Sequence, residues 1–450
     1  MAQLAAWMKS IGSRVTGSDQ GVYPPMSDFL RSKGIEVLSP YRAENLGVVD
    51  MVVVGNSISR GNPELEAVLE RRLPFISLPD LIHQHLLAGK LPIVVSGTHG
   101  KTTTTAALTH VLHQAELSPG FLIGGLPVGW EAGFGAGQGR WFVIEGDEYD
   151  SAFFDKRPKF LHYQPQVVVL NNIEFDHADI YASLDDIFLQ FRRLIQLIPG
   201  NGCLIANGDE QNLESLLNQA PCPVVTFGTS DRVQVRGEIL SLIPQGMRFK
   251  IRFASGQELN GTTPLWGHHQ LLNLTGAAAA AEFAGVTPDQ IIMGLSDFRG
   301  VRRRLELKYS DDHRWLYDDF AHHPTAVRAT LTSLRARHPD LPIIAAFEPR
   351  SNTMVKHFFQ HEIAEALGLA DRIIVGGLHR RERVPTDQRL DVDQIVDTLR
   401  HQGKDARHLE NSDEMVNLIL QDLPRRAVIV LMSNGAFSGL GGKLLEALRN

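Results

Sequence analysis

The chain has 450 residues, 43% hydrophobic and 21% charged, which calls for two to four well-cored globular domains. A formal charge of -7 and an isoelectric point near 6.2 argue against a general nucleic-acid binder. No apolar run nears the ~20 residues of a membrane span, the start lacks a signal-peptide core, and two cysteines (Cys203 and Cys222) are too few for a disulfide framework; a cytoplasmic protein with no membrane partner is expected.

Residues 1–88 alternate short apolar runs with helical patterns. RVTGSD, IEVLS, DMVVVGNS and PFISL read as strands and PELEAVLERR as a helix, which predicts a parallel α/β sheet. A second unit, 89–299, starts at the strand LPIVVSG and continues through RWFVIEGD and PQVVVLNN. VVTFG, VQVRGEIL and MRFKIRF read as antiparallel additions to it, and NLTGAAAAAEFAG as an alanine-rich helix. A third α/β unit, 300–450, carries the strands RWLYDDF, PIIAAFE, DRIIVGG and RAVIVLMS.

Three strand ends carry candidate chemistry. VVSGTHGKTTTT (Val94 to Thr105) is a strand, a glycine turn and a helix start. Free N–H groups there suit phosphate, Lys101 adds a charge for the outer phosphates, and the Thr102 hydroxyl suits Mg²⁺. Val95 stands where the general phosphate-loop pattern has its first glycine. VIEGDEYDSAFF places Glu145, Asp147, Glu148 and Asp150 after an apolar strand, where a metal would sit beside such a loop. VVVLNNIEFDHADIY ends a third strand in Asn171, Asn172, Glu174, Asp176, His177 and Asp179, and His177 is a candidate metal ligand or phosphate partner. Alone, each stretch also reads as an ordinary polar turn; three successive strand ends of this kind favour a nucleotide site.

GTHGKTTTT, EGDEYD and NNIEFDHADIY resemble the central domain of the Mur ligase family, the ATP-dependent amide ligases of peptidoglycan synthesis, whose shortened GxxGKT loop accounts for Val95. The resemblance implies a three-domain architecture: a Rossmann-like N-terminal domain, a central P-loop ATPase domain and a Rossmann-like C-terminal domain. The lysine-free stretch DDIFLQFRRLIQLI resembles the L-alanine-adding and tripeptide-adding members; others carry a carbamylated lysine there. By the same resemblance Gly97, Thr98, His99, Gly100, Lys101, Thr102 and Thr103 hold ATP, while Thr102, Glu145 and His177 ligate Mg²⁺. In GHHQLLN, His269 and Asn273 match a signature near the adenine, with Gln270 replacing its usual asparagine. In GVRRRLEL, Arg303 or Arg304 reaches the γ-phosphate, with Lys101, Glu145, His177 and Arg304 as the expected catalytic set. In YDDFAHHPTA, Asp319 matches a ribose-contacting aspartate beside His322, His323 and Thr325.

FEPRSNTM and MSNGAFSG resemble the tripeptide-adding members, and the likeness continues through VYPPMS, RGNPELEAVLE and EFDHADI. Arg350 is a guanidinium fork suited to a peptide carboxylate. Substrate contacts are expected from Asp150, His322, Arg350, Ser351 and Asn352, and from Asn56, Ser57 and Arg60 in the candidate uridine-nucleotide loop GNSISRGN. The family opens with a strand and a glycine-rich turn; this chain opens on MAQLAAWMKSIGSRVTGSD, read as the following helix, so a first unit with weakened UDP-sugar binding is expected. The implied reaction joins L-Ala-γ-D-Glu-meso-diaminopimelate to UDP-N-acetylmuramic acid through an acyl phosphate, in peptidoglycan recycling. The competing readings are the L-alanine ligase and a non-catalytic nucleotide-binding relative, with a generic P-loop phosphotransferase behind both.

Overall fold

The structure is a computed structural model that describes residues 1–22, 26–421 and 423–449; Tyr23, Pro24 and Pro25, within VYPPMS, lie outside the described residues. Ten strands across residues 91–263 form one sheet, with Leu91–Ser96 between Val167–Leu170 and Trp141–Gly146. These three are parallel, and buried residues run along them without alternation, as expected where helices cover both faces. Ser96 stands opposite Gly146 on one side and Leu170 on the other, so the three strands end level with one another. That register brings the three polar strand ends to one edge.

Helix Lys101–Gln114 leaves the first of these strands and packs against His268–Phe283, whose Ala277 to Ala281 are all buried. Small side chains let the two axes approach closely. The opposite face is covered by Leu184–Gln196, a helix with a Ser183–Asp186 capping box, and by residues of the first unit, including Leu4, Ile76 and Leu81.

VVTFG forms Val224–Gly228, which pairs parallel with Cys203–Asn207 and with Val235–Ile243; only the ladders beyond, to Gly246–Arg252 and Glu258–Thr263, are antiparallel. The expected antiparallel pairing of VVTFG is therefore corrected. Cys203–Asn207 was not expected as a strand: CLIAN is a short apolar run between glycines, with none of the β-branched repetition of VVVL. Once it is in place, the connection to Val224 becomes a crossover that returns a parallel strand.

Residues 306–432 form a six-stranded sheet in the order Glu306–Ser310, Arg314–Asp319, Ala427–Met432, Ile343–Phe347, Arg372–Val375, Asp405–His408, parallel except for its first pair. Residues 16–77 form two separate parallel pairs, Thr16–Ser18 with Glu36–Leu38 and Val52–Val54 with Phe75–Ser77. Both cysteines are free, and among the described residues no helix is long and apolar enough to cross a membrane.

Candidate active site

The turn after Ser96 needs both its glycines. Gly97 has φ +128° and a Cβ there would lie 2.8 Å from Asn172 O; Gly100 has φ +85° and a Cβ there would lie 2.3 Å from Asn273 Oδ1. The loop is tied to the neighbouring strand end. Thr98 N donates to Asn172 O (3.1 Å), His99 N to Asn172 Oδ1 (2.8 Å), and Asn171 Nδ2 to His99 O (3.2 Å). No side chain caps the helix that starts at Lys101, so its first N–H groups have no side-chain acceptor. Thr103, the third residue of that helix, is buried.

Lys101 Nζ donates to Gly97 O (2.6 Å), Thr98 O (3.3 Å) and both Glu148 oxygens (3.0 Å each). Burial works against its charge, but Glu148 and Asp147 more than offset this and raise the ammonium above its ordinary value. Thr102 Oγ1 donates to Glu145 Oε2 (3.0 Å) and accepts from an Arg304 guanidinium nitrogen (3.1 Å). Burial pushes the Glu145 carboxyl up, against the pull of Gly124 N–H, Arg304 and Lys101. His177 Nε2 stands 3.0 Å from Glu148 Oε1; burial would lower this imidazole, and the Glu148 contact raises it instead. Its Nδ1 is buried without a partner.

Neighbouring ligand atoms on an octahedral Mg²⁺ stand about 3 Å apart. The Thr102–Glu145 pair has that spacing, and so does the His177–Glu148 pair. Glu148 is a buried carboxylate and His177 Nδ1 an orphaned ring nitrogen, donor types that fit a divalent cation. The two pairs do not gather into one cluster: among the described residues the groups that bring three such donor atoms within 4.8 Å are His99, Glu174 and His323, and Asp80, Asp155 and His162. The three expected ligands fall into two pairs: Thr102 with Glu145, and His177 with Glu148. Glu148 was one of four carboxylates in the acidic run, and nothing in the sequence singled it out as the lysine's partner.

The third unit closes over this edge. Arg304 lies 4.4 Å from the Phe320 ring centroid and points to Thr102, whereas Arg303 turns the other way and donates to Ser433 O and Gly435 O (2.6 Å each). Positive φ at Arg303 (+60°) and Leu305 (+54°) shapes the turn. Glu174 Oε2 accepts from Thr325 Oγ1 (2.6 Å) and lies 3.4 Å from His99 Nε2 and 3.5 Å from His323 Nδ1, so one carboxylate joins the loop to the third unit. Burial opposes its charge, yet these donors hold it well below the usual carboxylate range.

Other expected residues are engaged structurally. Asp319, buried and pushed up to about 6 by that burial, accepts from Leu305 N, Ala321 N (2.7 Å) and Thr330 Oγ1 (3.3 Å). Asn273 accepts from Thr104 (3.3 Å), while His269 Nδ1 stands 3.3 Å from Ser333 Oγ. Beside them Gln270 Oε1 is buried without a partner. His322 Nδ1 bonds Phe320 O (3.0 Å), and Asp150 accepts from Lys156 (2.6 Å). Arg60 is held bidentate by Glu66 at 3.0 Å, with Asn56 and Ser57 exposed beside it. Arg350 lies against Gly435, where a Cβ would come 2.2 Å from its Nε, which brings the two late motifs into contact. Ser351 Oγ accepts from Met354 N (3.1 Å), and Asn352 donates to Asp179 (2.8 Å).

A lysine loop, two donor pairs and an arginine from the turn that opens the third unit meet at one place shared between domains. The comparisons place it in a class: residues 1–90 match the Mur ligase family, catalytic domain; 95–281 the Mur ligase middle domain; and 303–435 the Mur ligase, glutamate ligase domain. The chain belongs to the Mur ligase family and has its three-domain α/β architecture. It is 37% identical over 452 residues to the UDP-N-acetylmuramate--L-alanyl-gamma-D-glutamyl-meso-2,6-diaminoheptandioate ligase of Escherichia coli (strain K12), covering 100% of this chain and 96% of that protein. It is 39% identical over 454 residues to the ligase of the same name from Haemophilus influenzae, covering 100% and 97%. The crystal structure of a murein peptide ligase from Psychrobacter arcticus 273-4 is similar over 100% of this chain and 96% of that one, with 34% identity and a TM-score of 0.75.

Proposed function

We propose that the protein is the ATP- and Mg²⁺-dependent ligase that joins L-Ala-γ-D-Glu-meso-diaminopimelate to UDP-N-acetylmuramic acid, releasing ADP and phosphate, in cytoplasmic peptidoglycan recycling. Similarity along the whole chain to ligases named for that tripeptide supports the substrate class. The observation that carries the chemistry is Arg304 meeting Thr102 beside Glu145, where residues of two domains converge on one phosphate position.

In this reading the uncapped helix start at Lys101 receives the phosphates, and Lys101 exchanges Glu148 for the outer ones. Arg304 neutralises charge on the phosphoryl group passing to the lactyl carboxylate; the tripeptide amine then attacks the acyl phosphate, and phosphate leaves. Thr102, Glu145 and His177, with Glu148, would hold Mg²⁺, which supplies charge neutralisation at the phosphates. Positioning and electrostatics do the remainder. Gln270 offers its unpaired carbonyl oxygen to an adenine amine. Asn56, Ser57 and Arg60 face the UDP-sugar, and 1–88, 89–299 and 300–450 are the working units. For the acceptor, Arg350 lies 3.5 Å from Glu348, which with His379, Arg380, Arg381 and Glu410 lines a cavity of about 390 Å³ in the third unit.

The test is competition: ATP and UDP-N-acetylmuramate with tripeptide and L-alanine together, products resolved by mass. UDP-muramyl-tripeptide formed with stoichiometric ADP is expected. Preferential L-alanine addition would make it the alanine ligase, and no product with ATP bound would make it a non-catalytic relative.

A further inference from the structure

The RSNTM turn, expected to face the acceptor, spends its centre on something else. Thr353 is buried, and its hydroxyl donates to Asp176 Oδ1 (2.8 Å) while accepting from Ala178 N (3.2 Å). Those are the two residues flanking His177. The same Asp176 oxygen accepts the N–H of His177 itself (2.7 Å). On either side, Asn352 Nδ2 donates to Asp179 Oδ2 (2.8 Å), Lys356 Nζ to Ala178 O (3.4 Å), and Phe358 meets Phe175 edge-on at 5.7 Å.

His177 needs such support. Its φ is +56°, a left-handed conformation that a side-chain-bearing residue keeps only where its surroundings impose it. Within its own domain, Asp176 accepts the His177 N–H, and the His177 carbonyl accepts from Ile180 N (2.9 Å) and Tyr181 N (3.0 Å); the third domain, more than 170 residues away in sequence, adds the bonds that hold the residues on either side. We infer that Thr353 is the positioning residue of His177: docking of the C-terminal turn sets the imidazole against Glu148 and so completes the metal–phosphate site of the central domain. Thr353 itself is buried, and its hydroxyl is engaged by Asp176 and Ala178. The inference rests on the reading of His177 as a ligand of the divalent cation. A hydroxyl is required because one atom must donate to a carboxylate and accept from an N–H. Valine keeps the shape but leaves the Ala178 N–H unpaired and Asp176 Oδ1 with the His177 N–H alone, whereas serine keeps both bonds.

The experiment is Mn²⁺ binding, read by electron paramagnetic resonance in the presence of a non-hydrolysable ATP analogue, on the full chain and on T353V, T353S, H177A and the T353V/H177A double variant, beside analogue binding without metal. T353V should weaken Mn²⁺ binding about tenfold, the scale of one unsatisfied buried group, while metal-free analogue binding stays within about twofold. T353S should restore the parent value, and T353V should add nothing in the H177A background. Parent-like Mn²⁺ binding by T353V, or equal loss with and without metal, overturns the inference while His177 remains a ligand. Parent-like binding by H177A removes His177 from the metal site and the inference with it.

Discussion

The phosphate loop and the RSNTM turn face each other across the site and are secured by different means. The loop's backbone is bonded within its own domain: Thr98 and His99 to Asn172 and Asn171 back to His99, with Asn273 of the alanine-rich helix packed under Gly100. The turn is anchored by Met354 N on Ser351 Oγ, but Asn352 and Thr353 spend their side chains on another domain. One wall is set by a parallel sheet before any ligand arrives. The other takes its final place by docking, as suits a domain that must admit a long acceptor.

That contrast can be broken first at the loop. Lys101→Ala should cut turnover roughly 10²–10³-fold with a cooperative melt retained, measured as product formation beside circular dichroism. Loss of the melt instead would mean that the lysine holds the fold. On the acceptor side, Arg350→Ala should raise the tripeptide KM about ten- to hundredfold, the value of one charge-assisted contact of ~1.5–3 kcal/mol, with the KM for ATP unchanged. A matching rise for ATP would place Arg350 in the loop wall.

Gly100→Ala should destabilise the protein by about 1–3 kcal/mol, because φ is +85° and Asn273 and Asn171 both crowd the new Cβ; denaturant titration reads it. An alanine at Gly403, where φ is +80° but the space is open, should cost less. The smallest effect is one of pH. Burial, with Arg337 adding to it, pushes buried His338 down to about 4. Unfolded histidine titrates near 6.5, so below about 6.5 the unfolded chain binds more protons and stability falls as pH drops towards 4. The melting temperature should be lower at pH 5 than at pH 7.5, with a shallower drop in His338→Gln.

The loop wall was legible in the sequence because strand, glycine turn and lysine are contiguous. The docking wall was not. Ser351 and Asn352 read as acceptor contacts, since a polar turn after a strand looks the same whether it meets a ligand or a neighbouring domain. Thr353 was one hydroxyl among several, and only folding shows it on both sides of His177. Among strands, apolar runs such as LPIVVSG and PIIAAFE were found, while the polar edge strands Glu258–Thr263 and Asp405–His408 carried no hydrophobic signal. Arg303 and Arg304 were inseparable as letters; the left-handed turn sends them in opposite directions.

The way Lys101 lies folded onto its own loop has a consequence for selectivity. Gly97 O, Thr98 O and both Glu148 oxygens already surround its ammonium, so the cradle is stoppered by its own cation. A phosphate entering there exchanges one set of anionic partners for another, and its affinity is the difference between two ion pairs rather than the attraction of a bare charge. Stray inorganic phosphate gains little from such an exchange. A nucleotide that also brings adenine and ribose contacts gains enough elsewhere to draw the stopper out.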